Sequence, residues 1–307
     1  MRPAILILLS AAIMAGPAAS DVPARAGTTA MSFLKIGAGA RYSAMGDAGA
    51  VLADDAYACF WNPSRLSQIY GSHAVGFQHN IWIAGITVDD VYYGYRWRKH
   101  RLGLSSRLLA TDDIPLRGET PIEDPLAYYR AYSFFAGASY AFVPDSHFSL
   151  GILYRRLYEK IYLDNTYGHS LQAGINVNLI GPDISIAAAV DNVGTRIHYS
   201  GAYYYKQPTV FSLGSSWRPS WEYRQTSGTI GAVAVKAIDD RWQLRLGGEI
   251  VWRRAISMRG GYKFGHSTEG LTLGLGLRWH VWTVDYAFVP HRYGLGSSHR
   301  ISLGLGL

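Results

Sequence analysis

From about residue 72 onward, apolar side chains recur at every second position. Leu171, Ala173, Ile175, Val177 and Leu179 interleave with Gln172, Gly174, Asn176 and Asn178. Leu271, Leu273, Leu275 and Leu277 alternate with Thr272, Gly274, Gly276 and Arg278; Ile301, Leu303, Leu305 and Leu307 alternate with Arg300, Ser302, Gly304 and Gly306. A period of two belongs to a strand with one apolar face and one small or polar face. No segment beyond residue 72 holds a helical apolar stripe over three turns, so this part reads as all β. Alternating segments begin near His73, Val88, Arg101, Tyr128, His147, Tyr167, Ile184, Pro208, Gly228, Arg241, Ala255, Leu271, Trp282 and Ser298, which predicts about 14 strands.

The polar face decides between two all-β architectures. A secreted soluble sandwich would carry Lys and Glu on its outer face. Here that face is Gly, Ser, Asn and Gln with isolated Arg, which suits a lumen. Trp82, Trp97, Trp217, Trp242, Trp252, Trp279 and Trp282 sit near strand ends, with Tyr92, Tyr93, Tyr128 and Tyr129, as interfacial girdles require. Connection lengths alternate: those at 143–146, 181–183, 253–254 and 280–281 are tight, whereas 110–127 and 194–207 are long. With both termini periplasmic, that parity places the long loops outside; Arg218 to Ser227 is the exception, long on the periplasmic side. The expected fold is a transmembrane antiparallel β-barrel over residues 71–307.

Composition narrows the compartment. Of 307 residues only 17% are charged, against roughly 25% in soluble domains. The net charge of +7 comes from basic residues scattered among aromatics, not clustered, which argues against a nucleic-acid partner. Residues 1–20 read as a secretory signal: Arg2 starts it, Ala4 to Ala15 is apolar and too short to span a bilayer, and Gly16-Pro17-Ala18-Ala19-Ser20 offers a cleavage site. Membrane lipid and a cell-outer-membrane location follow from a leader plus a barrel.

Residues 21–70 differ. Gly37, Gly39, Gly46 and Gly49 stand among alanines, ahead of Ala53-Asp54-Asp55-Ala56 and Trp61-Asn62-Pro63. The segment is too poor in periodic apolar residues to bury a core of its own, so the barrel lumen is the available surface. Gly37-Ala38-Gly39 is no dinucleotide loop, because the third glycine of that motif would fall at Tyr42. Asn62 before Pro63 signals a turn, and Trp61, the largest side chain present, is the expected anchor.

The string Phe33-Leu34-Lys35-Ile36-Gly37-Ala38-Gly39-Ala40-Arg41, Ala44-Met45-Gly46-Asp47-Ala48, Ala53-Asp54-Asp55-Ala56 and Trp61-Asn62-Pro63 resembles the opening of PorV/PorQ proteins, relatives of the FadL long-chain fatty-acid channel. The ending Val284-Asp285-Tyr286-Ala287-Phe288-Val289-Pro290, with His299-Arg300-Ile301-Ser302-Leu303, is similar to the same family's C-terminus. The resemblance implies a 14-stranded FadL-like outer-membrane barrel with Asp54, Asp55, Trp61, Asn62 and Pro63 in a small N-terminal hatch. It also implies service to type IX secretion, through a translocon partner or the C-terminal signal domain of a cargo protein. A FadL-like passive channel for hydrophobic small molecules is the alternative.

Catalysis finds little support. Asp54-Asp55, Asp89-Asp90, Asp112-Asp113 and Asp239-Asp240 are adjacent pairs, and neighbours on a strand point to opposite faces, so no carboxylate dyad forms in extended structure. Neither G-x-S-x-G nor H-E-x-x-H occurs, the ten His are dispersed, and Cys59 reads as a small buried residue; neither enzyme, cofactor nor metal is expected. If the Leu and Ile faces meet lipid, Arg245, Glu249, Arg278, Asp285 and Arg300 point inward as a network filling the bore. Asp54 or Asp55 would then pair with Arg278 or Arg300. Arginine at Ile175 should be costly in lipid, and arginine at the lumenal Asn176 mild.

Overall fold

The computed structural model describes residues 23–119, 123–180, 183–201, 203–219 and 223–307; the expected leader at 1–20 lies outside them. The alternating segments become long strands: β1 (His73–Ile81), β2 (Thr87–Trp97) and β3 (His100–Ala110), then the short β4 (Ile114–Leu116) and β5 (Ala127–Tyr129). There follow β6 (Tyr132–Phe142), β7 (Phe148–Ile161), β8 (Asp164–Ile180) and β9 (Ile184–Gly194), then the short β10 (Ile197–His198) and β11 (Tyr204–Tyr205). The chain ends with β12 (Val210–Trp217), β13 (Thr226–Ala237), β14 (Trp242–Trp252), β15 (Ile256–Phe264), β16 (Leu271–Trp279), β17 (Trp282–Pro290) and β18 (Ser297–Gly306).

Fourteen of these close into one antiparallel barrel, each pairing with the next, and β18 returns to β1 in the register Phe77–Leu303. Closure leaves no edge strand and pairs every rung, the condition for crossing lipid with strands. The expected strand at Tyr128 divides: Tyr128 sits in the β4–β5 loop hairpin, and the wall resumes at Tyr132. Alternation sets the faces. On β8 the exposed Tyr167, His169, Leu171 and Ala173 face outward while the buried Ser170, Gln172 and Asn176 face in. The pair Asp89-Asp90 separates as expected: Asp89 meets His79 outside, and Asp90 is buried inside.

One end of the barrel carries the start of β1 and the finish of β18, joined by Ser72 N donating to Leu307 O; it is called the terminal end here, and the other the loop end. Trp97, Trp217, Trp252, Trp279 and Trp282 gather at the terminal end, whereas Trp82 and Trp242 lie at the loop end. The outward histidines join these belts by bonding across strands to a phenol: His73 to Tyr93, His100 to Tyr140 and His299 to Tyr286, at 2.7–2.8 Å.

Residues 23–70 fill the bore. Short helical turns (Ser32–Lys35, Ala40–Ala44, Gly49–Leu52, Ala58–Trp61, Pro63–Gln68) are joined by tight bends, and nearly all their apolar side chains are buried. The segment lies in the lumen as expected, and the wall begins and ends on one side, but residues 23–35 sit at the loop end: Ala30 N donates to Lys206 O, and Thr29 and Lys35 both reach Asp239 in the β13–β14 turn. From there the chain descends the whole lumen and leaves at residue 72. A segment without its own core gains most by lying against the wall over its full height.

Candidate functional site

The wall receives the hatch on glycines. A Cβ at Gly151 would strike the backbone of Pro63 and Ser64, one at Gly247 that of Met45, and one at Gly261 that of Gly46. Side chains seat the same way, Tyr57 on Gly76, Cys59 on Gly103 and Leu52 on Gly231. The Gly-rich inner face is thus a mould for the plug. Gly46 adopts a φ of +65° where it presses on Leu246 O, a conformation that favours glycine, and its N–H donates to Thr272 Oγ1 at 3.0 Å.

Asn62 and Pro63 make the turn the sequence predicted. Asn62 Oδ1 accepts from Ser64 N and Ser64 Oγ, while its Nδ2 donates to Ala50 O in the hatch and Ala188 O in the wall; Pro63 opens the following helical turn. Trp61 packs within the hatch: its Nε1 donates to Ala38 O at 2.8 Å and its ring covers Gly49. Asp55 Oδ1 accepts from Tyr57 N at 2.9 Å, a local turn contact. The buried Cys59 donates to Tyr93 O.

Beyond the Lys35–Asp239 pair, charge ties plug to wall at four places. Near the terminal end, alternating charges run Arg218–Asp54–Arg41–Glu249–Arg259–Asp285, with contacts of 2.5–2.7 Å. Asp54 therefore pairs with Arg41 and Arg218, and not with Arg278 or Arg300 as expected. Arg218, the first residue after β12, continues the inward parity of the buried Ser216 and so faces the hatch. Nearer the loop end, Arg107 binds Asp90 at 2.6 Å, donates to Ile36 O at 2.6 Å and stacks over Phe60. Arg155 joins Asp191 and Asn192 to Phe60 O. Lys263 holds Asp47 and Glu269, beside Arg300, which binds Ser43 and Gly37 O.

Of the five charges expected in the lumen, Arg245, Glu249, Asp285 and Arg300 face inward. Arg278 has the inward parity but stands exposed at the terminal rim, one rung from the β16–β17 turn, where water solvates it. The surroundings of Asn176 argue against a mild effect of arginine there: its Oδ1 accepts from Arg65 Nη1 at 2.7 Å in a packed interior, so a second guanidinium meets a like charge. Sequence reasoning missed Arg41, Arg65, Arg107, Arg155, Arg259 and Lys263. Parity alone would have found the wall members, since each shares its strand's small-residue face.

Between the hatch and the wall strands β9 and β12–β14 remains a cavity of about 170 Å³. Leu34, Phe60 and Trp61 floor it, Val233 and Val235 flank it, and Lys35, Arg245 and His266 stand around it. His266 lies in the β15–β16 loop, and its Nδ1 accepts from Thr268 N and Glu269 N; burial, then the cations Lys263 and Arg245, push its pKa down to about 4. On the outer surface of the loop end, large exposed side chains crowd one side: Leu126, Tyr128, Tyr162, Leu163, Tyr203 and Tyr204. Tyr129 of β5 packs on Tyr162 at the β7–β8 tip with ring centroids 5.1 Å apart.

A family model described as "Type IX secretion system protein PorV" matches residues 19–218 of this chain. The chain belongs to the PorV family. Among solved structures it resembles the toluene transporter TodX of Pseudomonas putida, at a TM-score of 0.62 and 10% identity over 87% of this chain and 96% of that one. The toluene transporter TbuX of Ralstonia pickettii gives 0.58 at 13% identity, covering 88% and 98%. A FadL homologue of Pseudomonas aeruginosa gives 0.51 at 12%, covering 86% and 96%. At these identities the likeness is one of fold: a FadL-like barrel of the outer membrane. No curated protein matches the chain. The PorV match spans the hatch and the wall as far as β12, so it takes in the Asp54–Arg41 pair, the Asn62-Pro63 turn and the exposed tyrosines.

Proposed function

We propose that this PorV-family barrel, cleaved from its leader after residue 20, is a sealed docking component of a type IX-type secretion or surface-attachment system. It works without covalent chemistry, by binding a cargo signal domain or a translocon partner through the loop end. The observation that carries this reading is the plug: the bore is moulded to its hatch and tied to it by buried ion pairs, whereas the loop end presents a crowd of exposed tyrosines. Aromatic side chains of this kind are enriched at interface centres. The parity of the connections supports placing that surface outside the cell.

The cavity above Phe60 and Trp61 favours a second reading, a passive channel for hydrophobic small molecules, in keeping with the toluene transporters of the same fold. Deleting residues 27–66 separates the two. The strands pair among themselves, so the truncated barrel should still insert and shift its migration on boiling. A docking component should lose cargo secretion or partner co-purification. A channel should instead gain uncontrolled solute uptake while secretion stays intact. Wild-type behaviour in both assays would remove the hatch from either mechanism.

A further inference from the structure

The outer face of β13, β14 and β15 is dished near the terminal end. Gly228, Gly248 and Gly260 point outward there; Gly248 pairs with both Ile230 and Gly260, and Ile250 with both Gly228 and Met258. A Cβ at Gly260 would meet nothing within 4 Å, and one at Gly228 only Glu249 O at 3.8 Å. The result is a cavity of about 470 Å³ in the lipid-facing wall, bordered by Trp217, Ile230, Ile250 and Met258. Glu249 and Arg259 turn their side chains into the lumen, so they give it a backbone floor.

Cations stand beside this apolar hollow. Arg253, in the turn directly after β14, stacks its guanidinium 4.7 Å from the ring centroid of the outward Trp252. Arg253 N donates to Gln225 O, which joins the β12–β13 and β14–β15 connections, and Arg224 in the former lies 5.3 Å from the ring centroid of Tyr223. Two guanidinium groups are thus held on aromatic rings at one corner of the interfacial belt, next to an apolar hollow in the lipid zone.

We propose that this corner binds one anionic glycerophospholipid from the leaflet at the terminal end, an acyl chain filling the hollow and the phosphate meeting Arg253 and Arg224. Charge complementarity selects the headgroup, and the missing side chains at three glycines select a chain over a flat annular contact.

The test is native mass spectrometry of the full barrel released from nanodiscs of phosphatidylglycerol or phosphatidylcholine. One phosphatidylglycerol should stay bound per barrel, and no phosphatidylcholine. Gly260→Leu fills the hollow without a clash and should lose the lipid while still shifting on boiling. Arg224→Ala with Arg253→Ala should weaken retention roughly twenty-five-fold, about fivefold for each arginine near a headgroup. Equal retention of both lipids, or unchanged retention in both variants, would overturn the proposal. So would a photo-crosslinker at Met258 capturing another protein in place of lipid.

Discussion

Wall and plug are made from the same chain under opposite rules. The wall turns leucine outward because its solvent on that side is hydrocarbon, and keeps small and polar groups inside. The plug has no outward face, so almost every side chain it carries is buried, and the wall answers its charges, with opposite charges for Arg41, Asp47 and Asp54 and with the Asn176 amide for Arg65. The wall is specified one residue at a time by alternation. The plug is specified by fit, through pairs such as Met45 on Gly247 that lie far apart in sequence.

The sharpest way to break that fit is to fill a seat. Gly261→Leu drives a side chain into the Gly46 backbone while leaving the outer face untouched. It should dislodge the hatch from a barrel that still shifts on boiling, seen as a large rise in single-channel conductance and in protease cleavage between residues 23 and 70. A silent variant would mean that the hatch is held by its ion pairs alone.

Breaking a tie comes next. Arg107→Met strands Asp90 in a dry interior, and loss of one partner of a buried pair costs about 3–5 kcal/mol. The midpoint of the boiling shift should fall accordingly, and the double variant with Asp90→Leu should recover much of the loss.

Arginine at Ile175 tests the wall from outside, at about 2–4 kcal/mol if that position lies at the bilayer midplane. Asn176→Arg tests it from inside and should also be damaging, because Arg65 already occupies the space. Folded yields on reconstitution compare them; a harmless Asn176→Arg would mean that the hatch is looser than its contacts imply.

The smallest effect is a pH dependence. His266 titrates near 4 in the folded protein against 6.5 ordinarily, so between those values the unfolded chain binds more protons and stability declines as pH falls. Acidification over that window should loosen the Lys263–Asp47–Glu269 contact and quicken hydrogen exchange in residues 45–48. His266→Gln should flatten the response.

The difference between wall and plug also explains what the sequence could tell. Alternation located every barrel strand to within four residues, and parity set Glu249, Asp285 and Arg300 inside. It failed at Arg278, because parity does not say how far a residue lies from the rim. The Asn62-Pro63 turn was legible because its chemistry is local. The partner of Asp54 was not: Arg41 is 13 residues away in the hatch and Arg218 lies on a connection, and no periodicity links them. The direction of threading escaped for the same reason, resting on the contacts of Thr29 and Lys35 with a single distant turn.

That threading constrains the order of assembly. The hatch lies inside a ring whose only sequence-distant seam is β1 against β18, and it is pinned to strands from both halves of the chain. A ring that zipped shut first would confront the hatch with a sealed wall, and Gly151, Gly247 and Gly261 would have nothing to receive. The plug must therefore be wrapped while the sheet is still open, with the last rungs of the seam closing over it. Biogenesis of this barrel is a process of enclosure, and its slow step involves contacts that span nearly the whole chain.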